Sequence, residues 1–370
     1  MTTPLDIFLA APPGLEATLA EEAREAGFSD PIPAPGGVLT RGGWPEVWRA
    51  NLVLRGAGRV LVRLGAFHAV HLAQLDKRAR RIDWAAALRA DAPFRVDAAC
   101  QKSRIWHEGA AAERVARAIA EGCGAAQAAD APVRVLVRIV DDFCTVSVDA
   151  SGEPLHKRGA KQAVGKAPLR ETLAALFLRA CGYRGAETVL DPMCGSGTFV
   201  LEAAEQALGL PPGRARAFAF ERLAGFDPDD WAAMRDAAAV PRPTSLRFAG
   251  FDRDEGAVAM SRANAGRAGV AGVTTFARQA VSALAPPADA TPGLVVVNPP
   301  YGERIGEGDD LRPLYATLGA VLRERFAGWR VGLVTSEPAL ARATGLPFEP
   351  PDAPVPHGGL RVRLHRTPPL

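Results

Sequence analysis

An α/β protein with a doubly wound, mostly parallel sheet, preceded by an α+β module, is what this sequence predicts. Three observations carry the prediction. From Glu187 onward, short apolar runs alternate with segments of helical spacing, the pattern of strands buried on both faces. The first of these runs ends in Asp191 and turns through Gly195-Ser-Gly197 into a helix. Ahead of it, roughly the first 150 residues mix strands and helices in the irregular order of an α+β unit.

Residues 1–65 read as a small α+β subdomain. Asp6-Ile-Phe-Leu-Ala is strand-like, Gly14 to Ala26 carries Leu15, Leu19 and Ala23 at helical spacing, and Gly36-Gly-Val-Leu-Thr opens a strand after a Pro-rich turn. Trp44 to Leu54 follows as a helix and Arg59-Val-Leu-Val-Arg-Leu as a strand. A second subdomain spans 66–154: helix from Leu72 to Leu88, strand from Phe94 to Cys100, Ala-rich helix from Gly109 to Gly122, then strands at Val133 to Val140 and Phe143 to Asp149. The third unit is 155–370 and begins with a basic linker. From Leu155 to Arg170 there are five Lys or Arg and no acid. Glu171 to Cys181 is helical, and strands follow at Thr188 to Asp191, Leu246 to Asp252, Val273 to Phe276, Leu294 to Asn298 and Arg330 to Val334. The stretch from Pro211 to Pro243 is an insertion with its own helix near Asp230 to Ala238. No fixed-period repeat is present.

Composition narrows the function classes. The chain has 370 residues, 48% hydrophobic and 23% charged, so it is neither disordered nor a single small domain. A net charge of +3 gives no global positive field, and any nucleic-acid site is therefore local. The five cysteines (Cys100, Cys123, Cys144, Cys181, Cys194) form no CxxC pair, which argues against a zinc ribbon or disulfide framework and fits a reducing compartment. No basic leader and no apolar run near the roughly 18 residues of a membrane span is present, so a cytoplasmic protein without membrane or metal partner is expected.

Three motifs carry chemistry. In Val189-Leu-Asp-Pro-Met-Cys-Gly-Ser-Gly-Thr, glycines with no Cβ let backbone N–H groups and a helix N-terminus approach a ligand, so Asp191, Pro192, Met193, Cys194, Gly195, Ser196, Gly197 and Thr198 form a candidate nucleotide cradle. Val200 stands where a dinucleotide fingerprint wants a third glycine, which favours a single nucleoside. Cys194 owes its place there to small size rather than nucleophilicity. Gly250-Phe-Asp-Arg-Asp closes the next strand: Asp252 is placed to accept two ribose hydroxyls, with Arg253 beside it, and Asp254 suits a helix N-cap. The third motif is Asn298-Pro299-Pro300-Tyr301. Its prolines restrict the backbone so that the carboxamide oxygen of Asn298 and a backbone carbonyl oxygen converge, the acceptor pair an exocyclic amine requires, while Tyr301 offers a ring for the base.

Asp-Pro-Met-Cys-Gly-Ser-Gly-Thr-Phe together with Asn-Pro-Pro-Tyr-Gly-Glu-Arg resembles the THUMP-domain class I methyltransferases that make N2-methylguanine in RNA, most closely their bacterial large-subunit rRNA branch. The resemblance extends to Gly152-Glu-Pro-Leu-His-Lys-Arg-Gly, Ala167-Pro-Leu-Arg-Glu-Thr-Leu-Ala-Ala and Gly358-Gly-Leu-Arg-Val-Arg-Leu, and so covers nearly the whole sequence. It implies a Rossmann-like methyltransferase domain behind a ferredoxin-like subdomain (1–65) and a THUMP RNA-binding domain (66–154). It implies S-adenosyl-L-methionine as cofactor, held by Asp191, Gly195 and Gly197, with Asp252 on the ribose and Asn298 to Tyr301 on guanine. The implied reaction is methylation of guanine N2, in 23S rRNA by this resemblance; tRNA guanine N2, DNA adenine N6 and a non-catalytic RNA-binding assembly factor are the competing readings. One departure is visible: Ala280, preceded by Gln279, stands where the family usually has Asp toward the adenine amino group. RNA contacts are expected from Lys77, Arg78, Arg80 and Arg81, from Lys102, Arg104 and His107, and from the linker bases Lys157, Arg158 and Lys161.

Overall fold

The computed structural model describes residues 4–159, 169–287, 291–301 and 310–370, and these fall into two compact units. In the first, β1 (Leu5–Ala10), α1 (Glu16–Glu25), β2 (Ser29–Ala34), β3 (Gly37–Gly42), α2 (Trp44–Val53) and β4 (Arg59–His68) are followed by α3 (Leu72–Ala79), β5 (Phe94–Gln101), α4 (Glu108–Cys123), β6 (Val133–Val140) and β7 (Phe143–Asp149). The strands form one seven-stranded sheet, ordered β2-β3-β1-β4-β7-β6-β5, antiparallel except for the β5–β6 pair. β4 pairs with β7, so the expected subdomains 1–65 and 66–154 share a single sheet. Period-two alternation explains the core: Val133, Val135, Val137 and Ile139 are buried on one face of β6, while Arg134 and Arg138 are not.

The second unit opens with α5 (Glu171–Ala180), β8 (Val189–Asp191) and α6 (Thr198–Ala207). The backbone next returns to the first unit through α7 (Pro228–Ala238), then resumes with β9 (Phe248–Asp252), α8 (Glu255–Ala268), β10 (Thr274–Arg278), β11 (Leu294–Val297) and α9 (Arg312–Arg325). β12 (Arg330–Thr335), α10 (Pro338–Ala343), β13 (Val355–His357) and β14 (Leu360–Arg366) complete it. Its sheet, β10-β9-β8-β11-β12-β14-β13, is parallel from β10 to β12 and antiparallel at the β14–β13 edge. Strand order reverses at β8, so β9 lies on one side of it and β11 on the other. In open α/β sheets such a reversal is where a ligand crevice forms, beyond the carboxyl ends of the strands.

The insertion corrects the sequence reading of 155–370 as one domain. Residues 216–238 cluster with the N-terminal unit, and residues 12–18 with the C-terminal one. The reason is aromatic packing: Trp231 meets Phe220 edge-on at 5.0 Å, and Phe220 stacks on Trp48 of α2 at 6.2 Å. The helix expected over Leu72 to Leu88 also ends early, after Ala79. Trp84 Nε1 donates to the Ala79 carbonyl at 3.0 Å and turns the backbone there.

Candidate active site

Asp191, Asp252 and Asn298 end, or directly follow, three adjacent parallel strands, so the sheet brings all three motifs to one edge. Between β8 and α6 the backbone takes the left-handed region at both glycines, with φ of 53° at Gly195 and 85° at Gly197. Their roles differ. A Cβ on Gly197 would stand 3.1 Å from Ser261 Oγ and 3.2 Å from Phe276 Cε1, whereas one on Gly195 would meet nothing within 4 Å. Gly197 is thus required by the turn and its packing, and Gly195 presents bare backbone to open space, as a nucleoside cradle requires. Two residues of α8 that sequence reasoning missed fix the turn from behind: Ser261 Oγ donates to the Gly195 carbonyl at 2.8 Å, and Asn264 Nδ2 to the Ser196 carbonyl at 3.0 Å. Their signal was two polar residues three apart on a helix, a spacing that puts both on one face.

Asp252 makes two bonds that the sequence did not suggest. Its Oδ2 accepts the Gly195 N–H at 3.0 Å and its Oδ1 the Asp254 N–H at 3.0 Å, so it ties the end of β9 to the turn. A carboxylate has about four acceptor positions, and the two left over can take a pair of hydroxyls. Asp254 accepts the Gly256 N–H at 2.8 Å and caps α8, as expected. Asp252→Ala is accordingly expected to weaken S-adenosylmethionine binding at least about tenfold, and Asp254→Ala much less. Calorimetric titration decides, and the reverse order would move the ribose to the other carboxylate.

Burial pushes the Asp191 carboxyl up to about 8; the neighbouring Asp252 charge adds to this and the Met193 N–H, donating to Oδ1 at 3.0 Å, opposes it. The sign follows directly. The native state holds a proton that the unfolded state, with a carboxyl near ~3.9, has already lost, so this group's contribution to stability declines as pH rises through about 8. Asp191→Asn should flatten that decline in thermal unfolding followed across the same pH range; an unchanged slope would contradict the assignment. Burial likewise raises the Cys194 thiol well above its ordinary range, which fits a small packing residue rather than a nucleophile.

At the third motif, Asn298 Oδ1 is buried and has no hydrogen-bond partner among the described residues. A buried acceptor without a donor is costly unless one arrives with a ligand. Pro299 is buried and Pro300 partly so. Tyr315 of α9, fully buried, donates its hydroxyl to the Pro300 carbonyl at 3.1 Å and holds the turn in place. Tyr301 is partly buried against the core that contains Leu190, Val297 and Tyr315. Gln279 donates its N–H to the Asp252 carbonyl at 2.9 Å and is half-buried, whereas Ala280 is exposed. Arg253 is exposed, with its carbonyl accepting from Arg278 Nε at 3.1 Å. Ser196 and Thr198 are buried, as is Pro192, while Met193 is partly so.

The expected RNA contacts divide. Lys77, Arg81, Lys102 and Lys157 are exposed. Arg78 lies over the Phe67 ring at 5.9 Å, and Arg104 pairs with Asp142 at 3.2 Å. Arg80 is engaged by Asp76 at 2.9 Å and by Glu121, which offsets its charge. His107 caps α4, its Nδ1 accepting from the Ala110 N–H at 3.0 Å. Arg158 contradicts its assignment: it is buried, with Nε 3.0 Å from Glu202 Oε1 on α6, because the carboxylate draws the guanidinium inward. Lys161, with much of the basic linker, and Gly302 to Arg304 lie outside the described residues. Among the described residues no three His, Cys, Asp or Glu converge on a metal position, and no helix is long and apolar enough to cross a membrane.

Residues 158–347, which hold all three motifs, match the RMKL-like methyltransferase domain model. The chain belongs to that methyltransferase family. Residues 6–61 match the RlmL ferredoxin-like domain. In sequence this family member is 34% identical over 355 residues to the ribosomal RNA large subunit methyltransferase K/L of Psychromonas ingrahamii, covering 92% of this chain but 47% of that relative. The chain thus spans about half the length of the curated relatives it matches. Among solved structures it resembles SMU.472 complexed with SAH (TM-score 0.90, 25% identity, 100% of this chain and 99% of that one). It also resembles a predicted N6-adenine-specific DNA methylase from Listeria monocytogenes (TM-score 0.87, 29% identity, 98% and 96%).

Proposed function

We propose that this family member transfers a methyl group from S-adenosyl-L-methionine to the exocyclic N2 of a guanine in large-subunit ribosomal RNA. The observation that carries the reading is the buried Asn298 Oδ1, without a partner among the described residues, at the strand end beside the Gly195 turn. The name of the Psychromonas relative supports the RNA, and SAH in the SMU.472 complex supports the donor. The open face of Gly195 and the spare acceptor positions of Asp252 suit a nucleoside with a free ribose.

When bound, S-adenosylmethionine supplies a methyl group already activated on a sulfonium. The remaining task for the protein is positioning. Asn298 Oδ1 and the Pro299 carbonyl accept hydrogen bonds from the guanine amine, so that the nitrogen lone pair turns out of conjugation with the ring. Tyr301 takes the base by its face, and because guanine N2 is paired in a duplex, that base is unpaired or flipped. Lys77, Arg81, Lys102 and Lys157 are exposed charges suited to backbone phosphate.

Tyr315 acts through the turn. Tyr315→Phe leaves the Pro300 carbonyl without its donor, which costs about 1 kcal/mol or more; turnover is expected to fall roughly fivefold with cofactor affinity unchanged. Steady-state kinetics with wild-type turnover would remove Tyr315 from this role. The Listeria likeness favours one competing reading, methylation of adenine N6, since the same acceptors suit any planar exocyclic amine. Nucleoside mass spectrometry of RNA and DNA from a deletion strain separates the two. Loss of N2-methylguanine from large-subunit rRNA is expected, and loss of N6-methyladenine from DNA would overturn the proposal.

A further inference from the structure

Within the segment from Gln101 to His107 one large apolar side chain is left in water. Trp106 is 77% exposed, although its neighbours on either side are fixed: Ile105 is buried and His107 caps α4. The loop before it is pinned. Ser103 Oγ donates to the Gln101 carbonyl at 2.7 Å and accepts the Asp142 N–H at 3.1 Å, and the Arg104 N–H donates to Asp142 Oδ1 at 2.8 Å. These bonds fix the backbone that leads to Trp106, and on it a large apolar ring stands in water. Close to it in sequence are Lys102, Arg104, His107 and Glu108, all exposed, and the imidazole of His107 lies 5.7 Å from the indole.

We propose that Trp106 is a stacking platform for one unpaired RNA base, with Lys102 and the outer N–H groups of Arg104 beside the flanking backbone. This inference rests on the RNA reading above. A nucleobase fits better than a protein partner, because a protein hot spot needs a surrounding ring of contacts that excludes water, and here the ring's surroundings are charged and wet. A stacked base needs only the π face and tolerates a polar margin. Asp142 already offsets the charge of Arg104, so the contribution of Trp106 is a stack rather than a phosphate contact.

The test uses the full-length protein and two synthetic RNAs, a hairpin with an unpaired 3′ tail and the same hairpin blunt-ended. Titration of the tailed hairpin should quench the water-exposed tryptophan emission, and Trp106→Ala should weaken its binding roughly 5- to 150-fold, the range of one lost stack. Trp106→Phe should recover most of that. The blunt hairpin should lose less than about twofold, and the log K against log salt slope should not change, because no phosphate contact is removed. Wild-type affinity of Trp106→Ala for the tailed hairpin, or an equal loss on both RNAs, would overturn the stack while leaving the methyltransferase reading intact. Failure of the wild type to bind either RNA would overturn both.

Discussion

Asn298→Ala is expected to lower turnover about a hundredfold while S-adenosylmethionine affinity stays within about twofold, the result of losing one oriented acceptor in a water-poor site. The prediction follows from position. Asn298 stands directly after β11, and among the described residues its buried Oδ1 has no partner and the side-chain hydrogen bonds that hold the Gly195 turn run to Asp252, Ser261 and Asn264 instead. Removing it therefore leaves the cradle of Gly195 and Asp252 as it was. Single-turnover assays with a labelled methyl donor separate chemistry from binding. Retention of wild-type turnover, or loss of cofactor affinity equal to the loss of rate, would show that Asn298 shapes the cradle instead of aligning the amine.

The second large effect is on stability. Arg158→Ala should destabilise the protein by about 3–5 kcal/mol, since truncating one member of a buried ion pair removes charge compensation from the other. Arg158 and Glu202 are 5% and 3% exposed, and two of their nitrogen–oxygen approaches are 3.0 and 3.4 Å. The neighbouring Lys157 is exposed, and Lys157→Ala should leave stability within about 0.5 kcal/mol while weakening RNA binding at low salt. Denaturant unfolding beside salt-dependent RNA titration tests the pair. An Arg158→Ala protein of wild-type stability with a flatter salt slope would return Arg158 to the RNA surface.

These two residues also mark where sequence reading succeeds and where it stops. The turn at Gly195 and Gly197, the cap at Asp254 and the strand-end position of Asn298 are local: an apolar run, two glycines or two prolines fix the backbone within a few residues, so their placement was legible. Arg158 was not, because its partner lies 44 residues away on α6 and nothing in a run of basic residues shows which of them turns inward. The same holds for the insertion, whose allegiance to the first unit depends on Trp231 meeting Phe220 and Trp48. β2 was hidden differently: Pro31 and Pro33 suggest a turn, yet β2 is an edge strand, where a missing N–H need break no ladder bond. Ser261 and Asn264 carried only the weak signal of two polar residues three apart on a helix, which does not say what they hold, although they fix the turn that the glycines permit. Asp252 was placed correctly at its strand end, but its bond to the Gly195 N–H required the fold.

The central claim is that the crevice beside β8 aligns a guanine amine in RNA for methylation, and the most direct measurement is the position of the transferred group. Purified protein is incubated with labelled S-adenosylmethionine and undermodified large-subunit rRNA, with duplex DNA in a parallel reaction, and the products are digested to nucleosides. Label in N2-methylguanosine from the RNA, reduced about a hundredfold by Asn298→Ala, is the predicted result. Label in N6-methyladenine from the DNA, or no label in either nucleic acid from a protein that binds the donor, would contradict it.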